Sequence, residues 1–150
     1  ASDVYKRQEY SPVLALQKLA SQINPKELSG TVILVYVANP PAFFKRTVYY
    51  GPDWKNLNRV FPGKPDGTIS ERIAHVLTEK LFRRADFYVD VHSGDNNESL
   101  RPYVVYYESE KASREQIETS RRMALATGID FVKIARGRAT DFNQATYTTN

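Results

Sequence analysis

An aspartate and a histidine stand close together at the end of an apolar segment. Residues 86–95 read DFYVDVHSGD, so Asp90 and His92 are two positions apart. Side chains alternate across a strand, and both would therefore lie on the same face. A carboxylate can orient an imidazole through one ring nitrogen while the other nitrogen binds a metal ion. A capping histidine beside a solvated aspartate explains the pattern equally well.

The chain has one other histidine, His75. It falls within a predicted helix at 70–84, away from the apolar stripe formed by Ile73, Leu77 and Leu81. A polar side chain off the apolar stripe faces solvent. We therefore interpret His75 as a surface residue and His92 as the candidate for chemistry.

A second polar pair lies in the segment NLNRVFPG at 56–63. The guanidinium of Arg59 could bind a carboxylate through two parallel hydrogen bonds, and Asn58 adds a directed donor and acceptor. Phe61 is an apolar anchor, and Pro62 with Gly63 forms a rigid turn. The simpler alternative is an arginine that satisfies loop carbonyls.

Glu9 stands just before the first predicted helix. Acidic residues favour helix N-termini because of the helix dipole. Taken alone, Glu9 indicates a helix start and nothing more.

The pattern of the chain predicts helices alternating with strands. Ser11 and Pro12 indicate the first helix start, Thr68 or Ser70 the second, and Gly128 ends the third helix. The predicted helices are 11–23, 70–84 and 111–127, the predicted strands are 31–38, 86–91, 103–107 and 131–135, and a long loop covers 42–69. This alternation predicts an α/β layered fold.

The composition excludes several classes of function. The chain has 150 residues, enough for one domain, and no cysteine, which fits a reducing compartment; we expect a cytoplasmic protein. The net charge of +4 is spread along the chain without a nucleic-acid recognition motif. No apolar run approaches the roughly 20 residues of a membrane span. We therefore expect neither nucleic acid nor membrane as a partner.

Four motifs together resemble the succinylglutamate desuccinylase/aspartoacylase family. They are Glu9-Tyr10 before a helix, VANPPAF at 37–43, NLNRVFPG at 56–63 and DVHSG at 90–94, and the resemblance covers about residues 9–150. The family implies an α/β, three-layer carboxypeptidase-like fold with a mixed, largely parallel sheet between helices. It also implies a Zn²⁺-dependent hydrolase that removes an acyl group from an amine, acting on a small anionic acyl-amine substrate.

The resemblance also implies roles for particular residues. Glu9 and His92 match two of the zinc ligands, with Asp90 as a supporting residue, whereas the family's first zinc histidine falls at Lys6. An ammonium group cannot bind zinc. Asn58 and Arg59 match the pair that binds the substrate carboxylate.

Relatives often carry an arginine just before the tyrosine at position 49, where it polarises the scissile carbonyl. This chain has Val48 there, and Arg46 is the candidate to substitute for that arginine. We expect the general-base glutamate beyond Asn150. We interpret residues 1–8 as a non-native segment and 9–150 as part of a zinc-hydrolase catalytic domain.

These departures predict that the 150-residue chain is inactive by itself. Two alternatives to a deacylase stay open. One is a non-catalytic module that binds carboxylates, and the other is a zinc carboxypeptidase that acts on peptides.

Overall fold

The computed structural model describes residues 10–45, 53–94 and 99–137. Four α-helices, two short 3₁₀ helices and two strands lie within them. In chain order these are α1 (Tyr10–Gln22), α2 (Pro40–Lys45), a 3₁₀ helix (Leu57–Arg59), α3 (Ile69–Lys80), a second 3₁₀ helix (Phe82–Arg84), β1 (Val104–Ser109), α4 (Arg114–Ala126) and β2 (Val132–Gly137). No helix in these ranges is long and apolar enough to cross a bilayer.

The C-terminal part of the described chain is a βαβ unit. Strands β1 and β2 are parallel, with Val104 opposite Val132 at the start of the ladder, and α4 is the crossover that packs on β1. Ser113 caps α4 by accepting a hydrogen bond from the Gln116 N–H at 3.1 Å. Gly128 follows the helix with a φ of 69°. These features confirm the predicted α/β class and the predicted C-cap.

Helix α3 supports the loop that precedes it. Thr68 is its N-cap, and the Glu71 carboxylate accepts a hydrogen bond from the Thr68 N–H at 2.8 Å in a capping box. Thr68 rather than Ser70 therefore begins the helix. The helix ends earlier than predicted, at Lys80, and a 3₁₀ turn follows.

The hydrophobic core of the described chain joins this loop to α3 and to the segment after it. Phe61, which is 1% exposed, and Phe82 lie 5.6 Å apart, and Phe82 lies 4.6 Å from Tyr88 between ring centroids. The buried members of this core are Ala38, Leu57, Phe61, Ala74, Leu77 and Phe82. The packing of α3 therefore fixes both polar segments singled out in the sequence.

Two of the four predicted strands are wrong. Segment 31–38 forms no β-bridge, segment 86–91 forms a single bridge at Val91, and the only multi-residue ladder in the described ranges is the β1–β2 pair. The second segment keeps the alternation of a strand, since Phe87 and Val89 are 65% and 59% exposed while Tyr88 packs inward. Apolar β-formers favour an extended backbone, but a strand also needs a hydrogen-bonded neighbour.

The remaining differences are smaller. Helix α1 begins at Tyr10, so Ser11 lies inside the helix instead of capping it. The predicted loop 42–69 contains most of α2 and the first 3₁₀ helix.

Candidate functional site

Asp90 and His92 are in contact, as the sequence predicted. His92 Nε2 lies 3.2 Å from Asp90 Oδ2, and the Asp90 side chain is 6% exposed whereas that of His92 is 44% exposed. A buried carboxylate against one ring nitrogen fixes the orientation of the partly exposed imidazole. The pair therefore has the arrangement of a supported metal ligand.

Two buried polar atoms beside this pair have no hydrogen-bond partner among the described residues. They are Asp90 Oδ1 and Ser93 Oγ. Buried polar atoms are nearly always satisfied, so each of these two atoms indicates a polar group that the described residues do not supply. Ser93 was not singled out from the sequence, because nothing in its type or spacing shows that its hydroxyl is buried.

The Asn58–Arg59 pair lies in the first 3₁₀ helix. Asn56 caps this turn, and its side-chain oxygen accepts a hydrogen bond from the Asn58 N–H at 2.9 Å. The exposed Arg59 guanidinium donates through Nη1 to the carbonyl oxygen of Asn58 at 2.7 Å. This is the contact that the simpler alternative predicted, and it engages one of the five N–H donors of the guanidinium.

Buried residues on both sides hold this turn in place. Leu57 is fully buried before the pair, and Phe61 anchors the chain after it. Gly63, with a φ of 82°, then passes so close to α3 that a Cβ would overlap the Glu71 carbonyl oxygen and the His75 amide nitrogen. The predicted anchor and turn are confirmed, so the polar pair is displayed by a rigid segment.

The start of the same loop is tied to the first turn of α3. Asp53 Oδ2 accepts a hydrogen bond from the Ser70 N–H at 2.7 Å, and Oδ1 accepts one from the Ser70 hydroxyl at 2.8 Å. Lys55 Nζ lies 3.1 Å from Glu71 Oε2. Sequence reasoning missed these contacts, because they join residues about 17 positions apart and no local motif marks them.

These contacts shift the two carboxylates toward their ionised forms. Burial raises the pKa of Asp53, but hydrogen bonds from the start of α3, including those of Ser70, outweigh burial and leave that pKa lowered. The Thr68 N–H, followed by Lys55, lowers the pKa of Glu71 to about 2. Both groups are therefore ionised at neutral pH.

The structure brings some of the predicted site residues onto one scaffold. The segments carrying Arg59 and His92 pack on the same hydrophobic core, through Leu57 and Phe61 on one side and Tyr88 on the other. Glu9 and Arg46 lie outside the described residues. Within the described part of the chain, no three His, Asp or Glu side chains are grouped closely enough to hold a metal ion.

Comparison with known proteins places this scaffold among deacylases. The family model for the succinylglutamate desuccinylase/aspartoacylase catalytic domain matches residues 8–149. A curated relative, the N-alpha-acetyl-L-2,4-diaminobutyric acid deacetylase of Halomonas elongata, is 35% identical over 108 residues, which are 72% of this chain and 32% of that protein.

Solved structures agree. A succinylglutamate desuccinylase from a Silicibacter species and a succinylglutamate desuccinylase/aspartoacylase from Rhodobacter sphaeroides each superpose with a TM-score of 0.82 at 26% identity. Both alignments cover 99% of this chain, and they cover 44% and 43% of the two structures. The chain thus spans less than half the length of these relatives. It belongs to the succinylglutamate desuccinylase/aspartoacylase family of deacylases.

Proposed function

We propose that this chain carries part of the active site of a zinc-dependent deacylase that hydrolyses the amide bond of an N-acyl amino acid. Glu9 and His92 would bind the metal, and Asn58 with Arg59 would bind the substrate carboxylate. The observation that carries the proposal is the contact between His92 and the buried Asp90 in a chain of this family.

Among the described residues, His92 is the proposed zinc ligand, and its contact with Asp90 suits that role. His92 meets Asp90 through Nε2, so its Nδ1 is the nitrogen that would bind the metal. In the neutral ring, an Nε2–H that donates to the carboxylate leaves the Nδ1 lone pair for the metal. When bound, zinc lowers the pKa of water and polarises a carbonyl group.

The substrate half of the proposal rests on charge and rigidity. Arg59 is an exposed cation on a turn that Leu57 and Phe61 hold in place. A substrate carboxylate bound by Arg59 would position the scissile amide of the same substrate. Because the turn is already rigid, binding would not have to order the loop. Arg46 is the further candidate to contact the scissile carbonyl. The Halomonas relative takes an acetylated diamino acid, and we propose substrates of that class for this family member.

Lys6 sets the expected behaviour of the 150-residue chain. It stands where the family pattern has a zinc-binding histidine, and a lysine ammonium has no lone pair for a metal. We therefore expect weak zinc binding and negligible turnover by this polypeptide, and Lys6→His should strengthen zinc binding.

Zinc titration by calorimetry tests the metal site. His92→Ala should abolish binding, and the matched variant His75→Ala, which removes the chain's other histidine, should leave it unchanged. Asp90→Asn should weaken binding by about 10- to 100-fold, the usual effect of removing a carboxylate that supports a histidine ligand. Equal effects of the two histidine variants would refute the assignment.

Lys6 also favours one alternative, a non-catalytic module that binds carboxylates. In that case N-acyl amino acids bind with dependence on Arg59, while Lys6→His leaves zinc affinity unchanged.

A comparison of N-acyl amino acids with peptides that have free C-termini separates a deacylase from a carboxypeptidase. Preference for the peptides would overturn the proposed substrate class.

A further inference from the structure

Trp54 combines two unfavourable features in one residue. Its side chain is 77% exposed, although it is the largest apolar side chain available to a protein. Its φ is 56°, and among the described residues other than glycine no other residue has a positive φ. A left-handed backbone costs a non-glycine residue about 1–2 kcal/mol. Such a conformation persists only where its surroundings impose it, and it often marks a functional position.

The surroundings that impose it are the two neighbours of Trp54. Asp53 is held by the Ser70 N–H and hydroxyl, and Lys55 is held by Glu71. Both anchors belong to the first turn of α3. Because the chain is fixed on each side, the indole ring is displayed at a defined place.

That place lies on the same loop as the proposed carboxylate site. Trp54 precedes Asn58 by four residues, and four residues span at most about 14 Å. The 3₁₀ helix that carries Asn58 and Arg59 packs on α3, the same helix that anchors Asp53 and Lys55. The ring and the guanidinium are thus carried by one loop that is anchored on α3.

The local charge favours a cation near the ring. Lys55 pairs with Glu71, whereas the ionised Asp53 beside Trp54 is bonded to the amide and hydroxyl of Ser70 and forms no ion pair among the described residues. Among aromatic side chains, indole attracts cations most strongly through its ring face. An apolar or anionic group would gain less from the same surroundings.

We propose that Trp54 is a specificity-determining residue, whose indole ring contacts the amino-acid side chain of the substrate and favours one that ends in an ammonium group. This inference rests on the proposed function, because the substrate carboxylate is placed on Arg59. It adds a cation-selective contact at the opposite end of the ligand.

The chain offers a direct probe, since Trp54 is its only tryptophan. Tryptophan fluorescence, excited selectively over that of the tyrosines, therefore reports on this position alone. N-acetyl-L-2,4-diaminobutyrate and its uncharged isostere N-acetyl-L-norvaline are titrated into the 150-residue chain, and binding is measured in parallel by calorimetry. The diamino ligand should shift the emission with a midpoint equal to the calorimetric Kd.

Variants separate the ring from the carboxylate site. Trp54→Ala should weaken binding of the diamino ligand about tenfold and that of the norvaline ligand much less, in line with a cation–π contact. Trp54→Phe should give an intermediate loss. Tyr103→Ala, which removes another exposed aromatic ring, should have no effect. Far-UV circular dichroism confirms that each variant is folded.

Two results would overturn the inference, and they are distinguishable. Calorimetric binding that is lost in Arg59→Ala, without a fluorescence change and without an effect of Trp54→Ala, refutes the role of Trp54 and leaves the proposed function standing. Absence of any Arg59-dependent binding overturns the proposed function and the role of Trp54 together.

Discussion

Replacing Gly63 with alanine should destabilise the chain and displace the loop that carries Asn58 and Arg59. Gly63 has a φ of 82° and passes against the first turns of α3. The Lys64 N–H donates to the Glu71 carbonyl at 3.1 Å, so the contact is also a hydrogen-bonded one. The site loop depends on this close approach.

The magnitude has two parts. The left-handed backbone costs alanine about 1–2 kcal/mol relative to glycine. The added Cβ would overlap the Glu71 carbonyl oxygen and the His75 amide nitrogen, and it would lie 2.9 Å from the Ala74 carbonyl carbon. These are backbone atoms of a helix, which cannot rotate away, and overpacking of this kind costs about 1–3 kcal/mol. We expect a total loss of about 2–5 kcal/mol in the free energy of unfolding.

Gly128 provides the matched control. It has a φ of 69°, and no atom lies within 4 Å of the position its Cβ would take. Gly128→Ala therefore carries the backbone cost of about 1–2 kcal/mol without the overlap. Urea unfolding followed by circular dichroism measures both variants.

The test compares the decrease in unfolding free energy of Gly63→Ala with that of Gly128→Ala. If Gly63→Ala loses no more stability than Gly128→Ala, the loop does not depend on close contact with α3. If Gly63→Ala loses more stability, it should also weaken the binding of N-acyl amino acids, since Arg59 is mounted on the same loop.

Three further predictions concern the same support. Above its ordinary pKa of 4.5 the ionised Glu71 stabilises the fold, and this contribution disappears as the pH falls toward its folded pKa of about 2. The difference in unfolding free energy between wild type and Glu71→Gln should therefore shrink over that pH range. A constant difference would contradict the capping interaction. Phe61→Ala should cost about 3–5 kcal/mol of unfolding free energy in urea, because it empties a fully buried position, whereas Phe44→Ala, at an 80% exposed position, should cost little. Ser70→Ala should cost about 1–2 kcal/mol, because it removes the hydroxyl that donates to Asp53, and a change of zero would show that the Ser70 N–H alone holds that carboxylate.

The features predictable from the sequence are those that neighbouring residues encode. Thr68 with Glu71, three positions later, specifies a helix start, and Gly128 specifies a helix end. Alternation along one segment likewise placed Asp90 beside His92, and the structure confirms that contact. In each case the interacting groups are at most four residues apart.

The features that could not be predicted depend on distant partners. The segment 86–91 has the apolar alternation of a strand, yet no described strand pairs with it, and its outward residues remain exposed. From the sequence alone, Asp53 is indistinguishable from any other carboxylate in a loop, because its partner Ser70 is 17 residues away. Its bonds to Ser70 then fix the chain directly before Trp54, which has a left-handed backbone. The local sequence therefore indicates which residues can do chemistry, but the position of Trp54 follows only from the contact between the loop and α3.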